Sequence, residues 1–396
     1  MKNLQRQYIL PLTFILIIVS LLSAGCVSEP IQGVKELMSS SSATLLESET
    51  PYELDPARLT VPVTPEQPPY TLENKPSSSD VLAPGFEVSS SYYYYVGFYE
   101  GAEGVTSIYV KNLGDNTVFI YEFGLLQKNN GQWYGQDTSI TILPGEEKVI
   151  GHISFNIPEN TEEITLEAGI SMMVRTSSGK WYDYKRQYFD EFTVDVEPQP
   201  MMEESPYVYN PVSTFELVNE KITPYNIEVR KMAAVSAKKY PGQYNIYQLC
   251  SLFDDTRDNI QYISDPRGRD LWSEPRDTLQ VGAGDCDDYA ILLASLVESI
   301  GGTARIYMTD THAFAAVYAG DESNIENVIR SIQNYYGPLP VYYTSDEYGY
   351  WLMMDPTSSV YVGGLPGGTA PVEGGWTFLN TSQVTVIDIA PQDEEL

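Results

Sequence analysis

The 396-residue sequence predicts a multidomain chain, an antiparallel β-sandwich followed by an α+β domain. Three observations predict it. Between Phe86 and Val196, β-branched and aromatic segments with rough alternation are separated by turn residues. After residue 212, amphipathic helical spacing comes first and strand-like segments follow. Between the two, residues 197–211 hold prolines, acids and two methionines, the composition of a short linker.

In the first domain, residues 86–196, strands are expected at 106–110, 118–123, 148–155 and 164–174. Leu113-Gly114-Asp115-Asn116, Asn129-Asn130-Gly131, Pro144-Gly145 and Ser178-Gly179 supply the turns. Short strands at this spacing fold as two packed sheets. The phrase from Asn112 to Thr117 and the turn Leu143-Pro144-Gly145-Glu146 resemble immunoglobulin-like domains of cell-surface proteins. The run Tyr92 to Tyr95 admits a sugar-binding strip, but alternating tyrosines read more simply as half-buried strand residues. His152, with no other histidine near it, reads as structural.

Ahead of this domain, Lys2 and Arg6 precede the apolar run Tyr8 to Leu22, and Ser23-Ala24-Gly25-Cys26 follows. That order reads as an export signal over residues 1–26. Its end is similar to a lipoprotein cleavage box, in which Cys26 becomes the lipidated first residue, although Ser23 stands where leucine is commoner. Uncleaved, Tyr8 to Val27 is long enough to span a bilayer. Both outcomes predict an extracytoplasmic protein tethered to a membrane by its N-terminal anchor. Residues 27–85, rich in Ser, Pro, Glu and Thr without a period, read as a disordered stalk. The formal net charge is −31, from 23 basic and 54 acidic residues. Such a field repels phosphate backbones, so nucleic acid is excluded as a partner.

The second domain, residues 212–396, centres on Gly282-Ala283-Gly284-Asp285-Cys286-Asp287-Asp288-Tyr289-Ala290. The apolar run from Ala290 to Ile300 follows, and Gly301-Gly302 stops it. A helix apolar nearly all round is a buried one, so Cys286 falls in the first turn of a buried helix. Unpaired N–H groups and the positive end of the macrodipole favour an anion there. Taken alone, a cysteine reads as buried packing. The glycyl and acidic flanks, and a histidine and an aspartate downstream, argue for a nucleophile.

Other elements frame that helix. Thr223-Pro224 opens a helix that runs to Lys238-Lys239, and a second carries Ile246, Leu249, Cys250, Phe253, Ile260 and Ile263 on one face, ending before Asp265-Pro266. Strands are expected at 304–308, 312–318, 350–354 and 384–389, with a helix around Ile325 to Ile332. His312 starts a strand and Asp355 ends one, held extended by Pro356. A thiol needs a base to ionise it, and the base needs an acceptor to fix its tautomer. Outside a cell, two cysteines most simply form a disulfide. Pairing Cys250 with Cys286 would bury the glycyl turn, so two free thiols are expected. One histidine and two separated cysteines give no zinc spacing.

Trp272, Pro275-Arg276-Asp277-Thr278-Leu279, Gly284-Asp285-Cys286-Asp287-Asp288-Tyr289-Ala290, His312-Ala313-Phe314 and Met354-Asp355-Pro356-Thr357 together resemble the transglutaminase-like superfamily. The resemblance runs from Asn245 to about Ser359. It implies a papain-like core with Cys286 as nucleophile, His312 as base and then acid, and Asp355 as orienting acceptor. The N–H of Cys286 would then help bind the oxyanion. Trp272 reads equally as cleft wall or core packing. Relatives with a similar Gly-Asp-Cys motif hold calcium, which Asp285, Asp287 and Asp288 would ligate; the plainer reading is three solvated helix-start acids and no cofactor. The implied function is acyl transfer at peptide or amide bonds of a cell-surface protein or peptide substrate, through a thioester. A non-catalytic binding protein on the same scaffold is the alternative.

Overall fold

The computed structural model describes residues 45–46, 52–79, 82–94, 97–201, 207–209, 212–265 and 271–392. The export-signal segment, Cys26 and Tyr95 lie outside the described residues. Among those described, no helix is long and apolar enough to cross a membrane.

Two sheets form the first domain. One orders β2 (Val88–Tyr93), β4 (Glu103–Asn112) and β7 (Glu147–Asn156). The other orders β3 (Phe98–Tyr99), β9 (Trp181–Glu197), β8 (Glu163–Arg175), β5 (Val118–Gln127) and β6 (Gln132–Ile142). Pairing is antiparallel apart from the short parallel contact of β3 with β9. Ile108, Phe123, Leu125, Ile153, Phe155 and Ile170 alternate inward from facing strands and close a shared core. The tyrosine strip departs from the half-buried expectation. Tyr92 and Tyr93 are exposed, with Tyr92 stacked on Phe192 at 3.5 Å.

The second domain is a seven-stranded sheet in the order β1 (Leu45–Leu46), β10 (Tyr207–Tyr209), β19 (Val384–Asp388), β13 (Ala304–Met308), β14 (Ala313–Gly320), β16 (Gly349–Met354), β15 (Tyr343–Asp346). Its helices are α1 (Val212–Lys221), α2 (Ile227–Ala237), α3 (Ile246–Asn259), α4 (Pro275–Val281), α5 (Cys286–Ser299) and α6 (Ile325–Tyr336). Along β14, Ala313, Ala315, Val317 and Ala319 join the core that holds α5, and their small size lets the helix lie close. Phe314, Ala316 and Tyr318 point the other way, to Trp351, Trp376 and Phe378. The hairpin β17 (Thr369–Val372) and β18 (Gly375–Phe378) covers that second face.

Four expectations are corrected. The second half of the expected stalk is a strap over both domains: Leu54 is buried, and Val63 N donates to Tyr244 O. Further along, Lys75 pairs with Asp183 at 2.7 Å, and Ser79 N donates to Trp181 O. A few anchors on preformed surfaces suffice where a periodic pattern is missing. The expected linker contains β10, which pairs in parallel with β19. The first helix of the pair starts at Ile227, capped by Asn226, because Asn226 Oδ1 accepts from Glu228 N. Ile260 is already extended and Gln261–Tyr262 forms β11, so the apolar face continued past the true helix end.

The domains meet where Val105 of the sandwich packs on the second domain's core. His152 is half-buried at this junction beside Tyr336, its Nδ1 2.8 Å from Ser107 Oγ. Burial, then the nearby Arg257 charge, pushes the His152 pKa down to about 3. It is therefore a neutral packing element.

Candidate active site

The chain reaches Cys286 through backbone pairing with β11. Gln261 aligns with Ala283 and Tyr262 with Gly284, the latter two residues being β12 (Ala283–Gly284), and Ile263 N donates to Gly284 O. A Cβ on Gly284 would lie 2.6 Å from Asp288 Cβ, so only glycine lets the chain fold against the first turn of α5. Asp285 caps that helix and Cys286 is its first residue, partly exposed. The body of α5, from Ala290 to Val297, is buried. The sulfur thus stands at the open end of an otherwise enclosed helix.

His312, just before β14, and Asp355, just after β16, arrive on neighbouring antiparallel strands. His312 Nε2 donates to Asp355 Oδ2 at 2.7 Å. Cys286 is close enough to the ring to raise its proton affinity, and Nδ1 is the nitrogen that Asp355 leaves open. Burial works to lower the His312 pKa, but the Asp355 charge and hydrogen bond, joined by Cys286, raise it to about 10. Burial likewise works to raise Asp355, yet His312, Thr357 and Gly367 hold it below the ordinary carboxylate value. Oδ1 of Asp355 accepts from Thr357 N at 3.1 Å and Thr357 Oγ1 at 2.6 Å. The three expected residues are therefore brought together in the order sulfur, imidazole, carboxylate. Cys250 is a separate free thiol, buried in α3, and burial raises its pKa well above the ordinary value.

The acids beside the sulfur are not the solvated trio expected. Asp287 and Asp288 are buried. Asp288 Oδ1 accepts from Ser273 N at 2.7 Å, and Asp285 Oδ2 from Asp265 N at 3.2 Å. Oδ1 of Asp285 and Oδ1 of Asp287 are buried and meet no donor. One ligand oxygen from each of the three carboxylates lies within 4.8 Å of the others. Burial first, then the neighbouring Asp285, pushes the Asp287 pKa up to about 9. Buried carboxylate oxygens facing one another need a proton or a cation between them. Hard oxygen donors at this spacing suit calcium.

Trp272 is half-buried and packs against the core that carries α5. Sequence reasoning passed over Tyr262, Thr357 and Gly367. Tyr262 lies near Cys286: burial raises its phenol pKa, and the Cys286, Asp285 and Asp355 charges add to that. Thr357 sat in a recognised motif without a role. Gly367, in the run Gly363-Gly364-Leu365-Pro366-Gly367-Gly368, was legible only as a turn.

A sulfur at a helix start, an imidazole and a buried carboxylate on an α+β scaffold define the papain-like class of thiol site. Residues 233–356, a minority of the chain, match the family described as the transglutaminase-like superfamily, and the stretch contains Cys286, His312 and Asp355. No curated protein matches the chain. Among solved structures, a candidate cysteine protease from Cytophaga hutchinsonii is 12% identical, covering 78% of this chain and 91% of that one, with a TM-score of 0.23. A candidate protease from Parabacteroides distasonis is 10% identical, covering 59% and 64%, also at 0.23. The CARDB domain of a Pyrococcus furiosus protein, in complex with di-metal ions, is 16% identical, covering 29% and 96%, at 0.21.

Proposed function

We propose that this protein is a thiol acyl-transfer enzyme, a hydrolase of peptide or amide bonds, held outside the cell by its N-terminal segment through lipidated Cys26 or an uncleaved helix. The observation that carries it is the 2.7 Å pairing of His312 Nε2 with Asp355 Oδ2, with Cys286 close enough to the same ring to raise its pKa. The Cys286 thiolate attacks the substrate carbonyl carbon, forming a C–S bond and an oxyanion that the Cys286 N–H faces. Collapse breaks the C–N bond, and the His312 imidazolium gives its proton to the leaving amine. Neutral His312 then takes a proton from water as the oxygen adds to the thioester carbon. The C–S bond breaks, the acid leaves, and the proton remains on His312 opposite the restored thiolate. Asp355 keeps Nε2–H pointed at itself throughout, so Nδ1 does the transferring.

Asp285, Asp287 and Asp288 fit calcium, because two of their buried oxygens have no donor. Bound there, the ion would neutralise negative charge beside the nucleophile. The substrate is a cell-surface protein or peptide.

The test is incubation of the protein with a peptide and a labelled amine, alongside Cys286→Ala. Cleavage without label, absent in the variant, supports the hydrolase. Incorporated label makes it a transamidase. No turnover together with a Cys286 that resists alkylation returns the protein to the binding class.

A further inference from the structure

Residues beyond the stretch that matches the family complete the site. We propose that Gly367 is a positioning residue of the catalytic centre, its backbone N–H fixing Asp355 and, through it, the His312 ring. The inference rests on the acyl-transfer reading above.

Gly367 N donates to Asp355 Oδ2 at 2.9 Å, the same oxygen that takes His312 Nε2 at 2.7 Å. Together with the two Thr357 donors on Oδ1, this gives the carboxylate four hydrogen bonds, and only one comes from the group it orients. An acceptor clamped on both oxygens cannot rotate away when the imidazole gains or loses its proton.

The position also excludes any side chain. A Cβ at residue 367 would lie 2.8 Å from Ser358 Oγ, 2.9 Å from His312 Nε2 and 3.0 Å from His312 Cδ2. Ser358 is itself buried. The backbone at Gly367 is not in the left-handed region, unlike that at Gly363 and Gly368. Glycine is therefore demanded by the space against the imidazole, and not by chain conformation.

The loop is pinned from behind. Thr369 Oγ1 donates to Pro366 O at 2.7 Å, and Leu379 N donates to Gly368 O at 2.7 Å. Those residues belong to, or directly follow, the β17–β18 hairpin, whose Trp376 and Phe378 share a core with Phe314 of the histidine strand. The hairpin thus carries the donor to the triad. The charged groups facing the ring are Asp355 and Cys286, while the nearby Asp310 is exposed and engaged with Ser382.

The test compares Gly367→Ala with Gly375→Ala, a hairpin position where a Cβ meets nothing within 4 Å. Gly367→Ala is expected to lower kcat about 100-fold with KM little changed, as a displacement of about 1 Å at a reacting group does. Gly375→Ala should match the parent. The second readout needs no turnover. In the parent, the Gly367 amide resonance should shift with the same pH midpoint as the His312 ring, and Asp355→Asn should abolish that shift. A Gly367→Ala protein that folds and keeps kcat within about twofold, or a Gly367 amide indifferent to His312, overturns the proposal. If Gly367→Ala does not fold, the amide titration decides. If the parent turns over no peptide, the acyl-transfer reading fails while the amide titration still judges the positioning role.

Discussion

Replacing Asp355 with asparagine tests the triad through stability as well as rate. His312 has its pKa raised from 6.5 to about 10 in the folded protein, against the lowering effect of burial. A raised folded-state pKa means the native state holds the proton more tightly than the unfolded chain. The resulting stability is fully present below pH 6.5 and is lost as pH rises through about 10. At about 1.4 kcal/mol per pH unit, the loss across that window is at most about 5 kcal/mol. The lowered Asp355 pKa describes the same contact and is counted once. In Asp355→Asn the amide accepts from fewer donors and carries no charge, so burial prevails and His312 becomes neutral. The assay is denaturant unfolding at several pH values between 6 and 10.5 for both proteins, with peptide hydrolysis measured at pH 8. The parent should weaken steadily with pH over this range, the variant should not, and hydrolysis should fall by roughly 10⁴-fold. A parent whose stability is flat between pH 7 and 10.5 would refute the ion-pair argument.

Three further outcomes follow from other parts of the molecule. Arg257→Met removes the hydrogen bond to Val360 O, five residues after Asp355, and the 3.3 Å pair with half-buried Asp254. Asp254 keeps its hydrogen bonds from Tyr335 and Tyr336 but loses its cation, which should cost about 1–2 kcal/mol, read by denaturant midpoint. Calcium titration should raise the parent's stability by about 2.7 kcal/mol at a hundredfold excess over Kd, and Asp287→Asn should abolish most of that gain. Leu54→Ala should cost about 2–3 kcal/mol locally, seen as faster tryptic cutting at Arg58 with the sandwich left intact.

The sequence alone determined the elements whose signals are local. The period of α5 from Ala290, the glycyl approach to Cys286, the proline after Asp355 and the turns of the sandwich all lie within a few residues of what they specify. Several distinct motifs in family order then made the triad legible. Helix ends and the strap were less so, because an apolar face runs past Asn259 into β11 and because Val63 finds its partner at Tyr244, far along the chain. Only the tertiary structure decided that Asp287 is buried, that β10 joins the sheet, and that Gly367 meets Asp355. Those facts depend on which distant surfaces come within about 3 Å of each other. No periodicity along one segment encodes such a distance, since it belongs to the packing of several segments at once.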